Sequence, residues 1–170
     1  ITNSYSINEL RTPILESTNV FDKSLGSQTD IVTKEMYVFN DKNSESVCLR
    51  PEGTSSIVRS VIENNLIYDR GIKKRKYWYY GPMFRYERPQ KGRLRQFNQF
   101  GLEYFGFSGI SSEIELIVLI NKLLTTLEID YYQLHINSIG NQVDRDLYGS
   151  KIKSIMIDNV SILTDTERYT

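Results

Sequence analysis

The stretch from residue 84 to residue 103 constrains the fold of this chain more than any other, because charged and amide side chains repeat there at strand spacing around a basic loop. Phe84–Glu87 and Gln96–Tyr104 are predicted strands. The residues between them, which include Pro89 and Gly92, are predicted to form the connection. The stretch therefore predicts a β-hairpin.

Successive strand side chains point to opposite faces, so Arg85 and Glu87 share one face of the first predicted strand. One face of the second carries Phe97, Gln99, Gly101 and Glu103. If these faces coincide, they form a polar cleft floor in which Gly101 leaves room for a ligand. The opposite face is apolar enough to be buried, with Phe84, Tyr86, Phe100, Leu102 and Tyr104.

The hairpin is rich in cations, which are Arg85, Arg88, Lys91, Arg93 and Arg95. Guanidinium groups present paired planar donors that match phosphate, so the pattern favours a polyanion site. The alternative is an amphipathic hairpin whose charges face only water.

The sequence resembles the histidyl-tRNA synthetases, within the class II aminoacyl-tRNA synthetases. Residues Phe84–Arg93 (FRYERPQKGR) look like motif 2 of that family, and Arg95–Glu103 continue the match. Glu9–Glu16 (ELRTPILE) resembles the end of motif 1, and Leu49–Thr54 (LRPEGT) resembles the segment that holds the amino group of the amino acid. Asn137–Gly140 (NSIG) is a fourth match in the same order.

The resemblance implies an α+β fold: a class II synthetase-like antiparallel sheet flanked by helices, which is incomplete in this chain. Residues 1–170 are expected to be the N-terminal part of the catalytic domain, carrying motifs 1 and 2. The long motif 1 helix would lie largely before Ile1, while motif 3 and the anticodon-binding domain are absent. The isolated chain is therefore expected to be inactive.

The activity implied by the resemblance is that of a histidine–tRNA ligase. Histidine reacts with ATP to give histidyl-adenylate, and the aminoacyl group is then transferred to tRNA(His). The resemblance also implies that Mg²⁺ accompanies ATP, and that the full-length protein is a cytoplasmic homodimer. No dedicated metal ligands are expected in the chain.

Site residues follow from the same match, residue by residue. The match implies that Arg85 is the catalytic arginine, which would bridge the carboxylate and the α-phosphate. The histidine-binding residues are Glu52, Thr54, Arg85, Gln99 and Glu103. The ATP-binding residues are Arg85, Glu87, Arg93 and Phe97. The tRNA-binding residues are Gln90, Lys91 and Arg95, for which a solvated loop is the competing interpretation.

Two other functions compete with this one. One is a non-catalytic, histidine-sensing regulatory subunit of ATP phosphoribosyltransferase that shares the fold. Such a protein has no need of ATP-binding residues, so the presence of all four argues against it: Arg85, Glu87, Arg93 and Phe97. The other is a class II synthetase for proline or threonine, which Glu103 together with the full Arg50–Thr54 block (RPEGT) disfavours.

Composition agrees with a globular chain able to bury a core, at 170 residues and 39% hydrophobic content. The net charge is zero, so nucleic-acid contact would depend on local patches. The single cysteine, Cys48, excludes an intramolecular disulfide and is predicted to lie in a strand core. The sequence contains no long apolar span that predicts a membrane helix.

The N-terminal half predicts further elements. Glu9–Glu16 reads as an extended segment, and Asn19–Asp30 as a loop or short helix. Glu35–Asn40 and Val47–Leu49 predict a second hairpin. Thr54–Leu66 has helical spacing, which places Glu52 and Thr54 at the helix N-terminus; from spacing alone, Thr54 is equally a simple cap.

The remaining elements are predicted to be structural. The tyrosine-rich segment Tyr77–Tyr80 is predicted to be a strand. A capping box, Ser112 with Glu115, predicts a helix that extends to about Leu127. Tyr131–Ile136 predicts a strand, and residues Asp144–Ile157 predict a final helix.

Overall fold

The computed structural model describes residues 1–26, 29–67, 74–88, 90–137 and 140–158. The strands are β1 (Asn8–Glu9), β2 (Leu15–Ser17), β3 (Tyr37–Asn40), β4 (Ser46–Leu49), β5 (Arg75–Phe84) and β6 (Gln96–Phe105). The helices are α1 (Thr18–Leu25), α2 (Thr54–Glu63), α3 (Ile110–Thr126) and α4 (Gln142–Asp158), with a 3₁₀ turn at Thr2–Tyr5 and a π-helical turn at Ile31–Glu35.

The chain divides into two compact units, Ile1–Glu128 and Ile129–Thr170. In the described part of the first unit, the strands form two three-stranded sheets, ordered β1-β5-β6 and β2-β4-β3. Neighbouring strands are antiparallel, except that β1 runs parallel to β5. The predicted α+β class is confirmed.

The main hairpin is formed by β5 and β6, so the strand predicted at Gln96–Tyr104 is confirmed. The strand predicted at Phe84–Glu87 is wrong, because β5 ends at Phe84 and extends in the other direction to Arg75. After Arg85, the backbone no longer pairs with the chain of β6, because the Tyr86 N–H donates to the Glu35 carbonyl at 2.7 Å.

Proline in the middle of a strand usually disrupts pairing, yet β5 continues through Pro82. The backbone amide and carbonyl of one strand residue point to the same side. The Pro82 carbonyl accepts a hydrogen bond from Arg50 Nε at 3.0 Å, on the side away from β6. The missing proline N–H therefore costs no ladder bond.

Helix α2 covers one face of the hairpin. Ile57 and Val61 of α2 pack against Tyr77, Tyr79 and Met83 of β5, and all five side chains are buried. Burial of each large apolar side chain contributes roughly 1.5–3 kcal/mol. The buried face of the hairpin is therefore the face that carries the odd-numbered residues.

The predicted burial of the other face is wrong. Phe100 is 39% exposed and Tyr86 is 55% exposed, while Phe84, Leu102 and Tyr104 are half-buried. The apolar pattern within β6 predicted burial of the even-numbered face. Helix α2 instead packs against the odd-numbered face, where Tyr77, Tyr79 and Met83 of β5 are buried. Tertiary packing thus overrides the pattern within one strand.

Most of the predicted elements of the N-terminal half form. The second hairpin is β3 with β4, and the helix predicted from Thr54 is α2, although it ends at Glu63. Cys48 is buried in β4, and burial raises the pKa of its thiol to about 12. Its predicted place in a strand core is confirmed.

The predicted capping box of α3 is wrong. The helix begins at Ile110, and the Ser112 hydroxyl donates to the Gly109 carbonyl at 3.0 Å. Glu115 instead accepts hydrogen bonds from Lys76 and from the Tyr104 hydroxyl. These long-range partners tie α3 to the main sheet, and they use the carboxylate that a capping box needs.

In the second unit, the predicted final helix is confirmed as α4. The strand predicted at Tyr131–Ile136 does not form: the segment is irregular, with Tyr131 99% and Ile136 74% exposed. No described strand pairs with it, and an isolated strand has no ladder to stabilise it. Ser138 and Ile139 of the fourth motif match lie outside the described residues.

Among the described residues, no helix combines the length and the apolar character that crossing a membrane requires.

Candidate active site

The candidate site is organised by the N-terminus of α2, where backbone N–H groups lack helical partners. Glu52 satisfies two of them: its carboxylate accepts from Thr54 N at 2.6 Å and from Ser55 N at 2.9 Å. The Thr54 hydroxyl donates to Glu103 Oε1 of β6 at 2.7 Å. The interpretation of Thr54 as a simple cap is wrong, because Glu52 supplies the capping oxygens.

Two carboxylates therefore lie near each other at this helix terminus. Burial raises the pKa of Glu103; the nearby charge of Glu52 adds to the rise, and the Thr54 hydrogen bond opposes it. Glu52 is only 7% exposed. A cation that approached both carboxylates would replace like-charge repulsion by attraction.

Arg85 lies just beyond β5, on the same side of the hairpin as Glu52 and Glu103. Its Nε donates to the Pro51 carbonyl at 2.9 Å, which holds the guanidinium beside the segment that carries Glu52. The guanidinium also lies over the ring of Phe97, 5.2 Å from the centroid. Two contacts thus fix this cation, and neither of them uses its terminal nitrogens.

Glu87 lies between two arginines. Its Oε1 is 4.0 Å from Arg85 NH1, and its Oε2 is 3.4 Å from Arg93 NH1. The side chain of Glu87 is 14% exposed, whereas that of Arg93 is 62% exposed. Arg85, Glu87 and Arg93 thus form a row of alternating charges between the start of α2 and the hairpin loop.

Gln99 presents an acceptor towards the same covered face of the hairpin. Its Oε1 is buried, and among the described residues it has no hydrogen-bond partner. A buried acceptor without a partner is costly, and it is stabilised by any donor that reaches it. Such an acceptor suits an ammonium group.

The predicted tRNA-binding residues lie at the loop end of the hairpin, next to Glu87 and Arg93. Gln90 and Lys91 are exposed near the turn, where Gln90 forms a β-bridge with Arg93. Arg95 stacks on the Tyr86 ring at 4.2 Å and donates from Nε to the Glu87 carbonyl at 3.3 Å. Pro89 lies outside the described residues.

One predicted feature of the pocket is wrong: Gly101 does not leave room for a ligand in this structure. A Cβ built on Gly101 would lie 2.2 Å from the Tyr79 ring. The side chain of Tyr79 therefore fills the space above this glycine. Sequence reasoning treated Tyr79 only as a strand residue, although a glycine among large residues was a signal that a bulky neighbour lies opposite.

A second residue without a predicted role is Arg50, which is 6% exposed. Its NH1 donates to the carbonyl and hydroxyl of Thr12 at 3.0 and 3.1 Å, and its Nε reaches Pro82. Gly81 admits this guanidinium, since a Cβ there would lie 2.5 Å from Arg50 NH2. Arg50 thus joins the chain before Glu52 to β5.

We expect Arg50→Met to destabilise the chain by roughly 2 to 4 kcal/mol, because three acceptors lose a charged donor. Urea unfolding would measure the effect. Arg11→Met is the matched control: Arg11 pairs with Glu9 but its side chain is 82% exposed, so a change within about 0.5 kcal/mol is expected. Equal effects of the two substitutions would contradict the anchoring role.

A groove of about 670 Å³ lies between α1 and α2, lined by residues that include Val20, Lys23 and Arg59. None of the candidate site residues lines it. Among the described residues, no group of three His, Cys, Asp or Glu side chains is placed to hold a metal ion. The candidate site residues therefore lie outside this groove, on the hairpin and at the start of α2.

The two sheets, the flanking helices and the Arg–Glu hairpin define a class II aminoacyl-tRNA synthetase-like fold, in an incomplete form. The crystal structure of the apo histidyl-tRNA synthetase of S. aureus superimposes with a TM-score of 0.70 and 32% sequence identity, covering 97% of this chain and 37% of that one. An ATP phosphoribosyltransferase regulatory subunit/histidyl-tRNA synthetase from Bacillus halodurans C gives a TM-score of 0.57 at 23% identity, covering 72% of this chain and 30% of that one. The second likeness concerns the fold alone.

The family assignment comes from the sequence. The model of the histidyl-tRNA synthetase family matches residues 8–141, and the chain belongs to that family. The histidine–tRNA ligase of Buchnera aphidicola subsp. Schizaphis graminum is 47% identical over 169 residues, covering 99% of this chain and 39% of the relative. That of Thermotoga maritima is 48% identical over 160 residues, covering 92% and 38%. The chain thus spans about two fifths of the length of these relatives.

Proposed function

We propose that this chain is the N-terminal part of the catalytic domain of a histidine–tRNA ligase. The observation that carries the proposal is the convergence of Arg85, Glu52 and Glu103 around the start of α2, in a chain that belongs to the histidyl-tRNA synthetase family. The histidine carboxylate attacks the α-phosphorus of ATP, giving histidyl-adenylate and pyrophosphate. A terminal ribose hydroxyl of tRNA(His) then attacks the carbonyl carbon and releases AMP.

The first step needs alignment and charge neutralisation more than proton transfer, because its nucleophile is already an anion. Arg85 is assigned to bridge the histidine carboxylate and the α-phosphate. Its fixed position over Phe97 supports that role, since a preorganised donor does not have to be reoriented during the reaction. Glu87, Arg93 and Phe97 are assigned to ATP, with the aromatic ring as the stacking surface for adenine.

Histidine recognition is assigned to acceptors at the start of α2 and on β6. Glu52, Thr54 and Gln99 accept hydrogen bonds from the ammonium group, and the unpaired Oε1 of Gln99 supports this assignment. Glu103 accepts a hydrogen bond from the imidazole ring. A site that contains a buried acceptor rejects amino acids that leave it unpaired, which favours histidine over proline.

The remaining assignments concern partners of the full-length ligase of which this chain is proposed to be a part, here called the longer protein. Gln90, Lys91 and Arg95 are proposed to contact tRNA, which the exposure of the first two supports. Homodimerisation and a cytoplasmic location are proposed only on the resemblance to the family. The described residues form no dedicated Mg²⁺ site, so the proposal of Mg²⁺ rests on the charge of ATP, and no catalytic step is derived through the ion.

An ATP–pyrophosphate exchange assay on the longer protein tests the function. Exchange is expected with histidine, and not with proline or threonine. Histidine binding without exchange would instead favour a regulatory subunit. The salt links from Arg85 and Arg93 to Glu87 argue for the enzyme, because a histidine sensor has no need of them.

We expect residues 1–170 alone to bind histidine weakly and to give no histidine-dependent exchange above background. The physical reason is incomplete neutralisation of the phosphates, since the chain spans about two fifths of the length of its relatives and further arginines of the family's site are proposed to lie in the remainder. The measurement is the same exchange assay, with the longer protein as the positive control. Robust turnover by residues 1–170 would contradict the expectation.

A further inference from the structure

The ring of Tyr79 lies between two glycines that belong to different elements. A Cβ on Gly53, which precedes α2, would lie 2.1 Å from the ring, and a Cβ on Gly101 of β6 would lie 2.2 Å from it. Real Cβ atoms do not approach other heavy atoms so closely. The ring, which is 5% exposed, therefore requires glycine on both sides.

This arrangement makes the ring a spacer between the helix terminus and the strand. Thr54 directly follows Gly53, and Glu103 lies two residues beyond Gly101 on the same face of β6. The hydrogen bond from Thr54 to Glu103, at 2.7 Å, connects the two elements beside the ring. The Tyr79 ring thus packs against both of the elements that this hydrogen bond connects.

The electrostatic surroundings of Tyr79 agree with this position. Burial raises the pKa of its hydroxyl, a hydrogen-bonding interaction with Thr54 opposes the rise, and the charges of Glu103 and Glu52 add to it. The phenol therefore remains neutral at neutral pH, next to the same carboxylates. A neutral ring does not add to the like-charge repulsion between them.

We propose that Tyr79 is a positioning residue of the histidine site: its ring, held between Gly53 and Gly101, keeps Thr54 and Glu103 at hydrogen-bonding distance. The inference rests on the proposed function for the identity of the ligand, but the spacing itself does not depend on it. Tyr79 acts through Thr54 and Glu103 and takes no part in the chemistry.

The kinetic test compares Tyr79→Phe with Tyr79→Leu in the longer protein. The phenylalanine ring keeps the spacing. The variant loses the interaction of the tyrosine hydroxyl with Thr54, but the Thr54 hydroxyl can still donate to Glu103, so KM for histidine is expected to remain within twofold. Leucine is not planar and does not fill the same slot, so KM for histidine is expected to rise about tenfold, the equivalent of one lost hydrogen bond. KM for ATP is expected to change less than twofold in both variants, which general damage to the fold would not produce.

The structural test is a crystal structure of each variant. The Thr54–Glu103 hydrogen bond is expected to persist in Tyr79→Phe and to be absent in Tyr79→Leu. Tyr80→Leu is the matched control: Tyr80 is the next residue of β5, on the opposite face and 60% exposed, so both the hydrogen bond and KM should be unchanged.

Persistence of the hydrogen bond in Tyr79→Leu would overturn the spacer role, whatever the activity. A large rise in KM in Tyr79→Phe would also overturn it, and that variant decides the question if the leucine variant does not fold. Absence of histidine-dependent exchange in the unsubstituted protein would instead refute the proposed function. The crystal structures would still decide the spacer role in that case.

Discussion

Arg85→Lys is expected to lower the kcat of histidine-dependent pyrophosphate exchange in the longer protein by about 100-fold or more. Arg85 already donates from Nε to the Pro51 carbonyl at 2.9 Å, and its terminal nitrogens are the groups assigned to the carboxylate and the α-phosphate. Lysine has a single nitrogen. It cannot keep the Pro51 contact and also bridge two anionic groups.

The matched control for this substitution is Arg75→Lys, at the other end of β5. Within the described part of the chain, the Arg75 side chain donates a long, exposed hydrogen bond of 3.4 Å to the neighbouring Lys74 carbonyl, so exchange should remain within twofold. A loss of less than tenfold in Arg85→Lys would contradict the bridging role. Loss of exchange in both variants would point to a general sensitivity to arginine replacement.

Glu103→Gln is expected to reduce kcat/KM for histidine by about 100-fold, mainly through KM. Glutamine keeps the size and one acceptor oxygen, so Thr54 retains its partner. The charge is lost, however, and a hydrogen bond to a charged group is worth about 1.5–3 kcal/mol. Steady-state exchange kinetics would measure the effect, with the exposed Glu113→Gln of α3 as the control.

The same substitution is expected to stabilise the fold at neutral pH. The pKa of Glu103 is raised above its ordinary value, mainly by burial, so the folded state binds the proton more tightly than the unfolded state. The ionised carboxylate therefore destabilises the fold, and this cost develops as the pH rises from the ordinary pKa through the raised one. Below the ordinary pKa both states are protonated and the cost disappears.

Thermal unfolding of both proteins across this pH range would test the expectation. The Tm of Glu103→Gln should exceed that of the unsubstituted protein at neutral pH, and the difference should shrink in acid. A lower Tm at neutral pH would contradict the destabilising role of the carboxylate. A stabilised but impaired variant is the expected trade-off at a binding site.

The local patterns that predicted structure correctly are those whose partners lie close in the sequence. The strand over Gln96–Tyr104, the helix that begins at Thr54 and the hairpin of β3 with β4 all depend on short-range periodicity. The patterns that failed depend on distant partners. Glu115 contacts Lys76 instead of capping α3, and residues 131–136 form no strand.

The motif residues predicted the chemistry of the site but not all of its contacts. Their types indicated carboxylate, amide and guanidinium groups that recognise histidine and ATP. They did not indicate which residue caps α2 or what occupies the space above Gly101. Apart from the cap, which Glu52 forms locally, the contacts that shape the site join residues far apart in the sequence, such as Thr54 with Glu103 and Arg50 with Thr12.

The order and chemistry of the motif residues, and hence the family, were therefore determined by the sequence alone. Only the tertiary structure decided which face of the hairpin is buried, and that Tyr79 lies between Gly53 and Gly101. The reason is physical: periodicity specifies which side chains share a face, whereas packing against α2 selects the face that is covered.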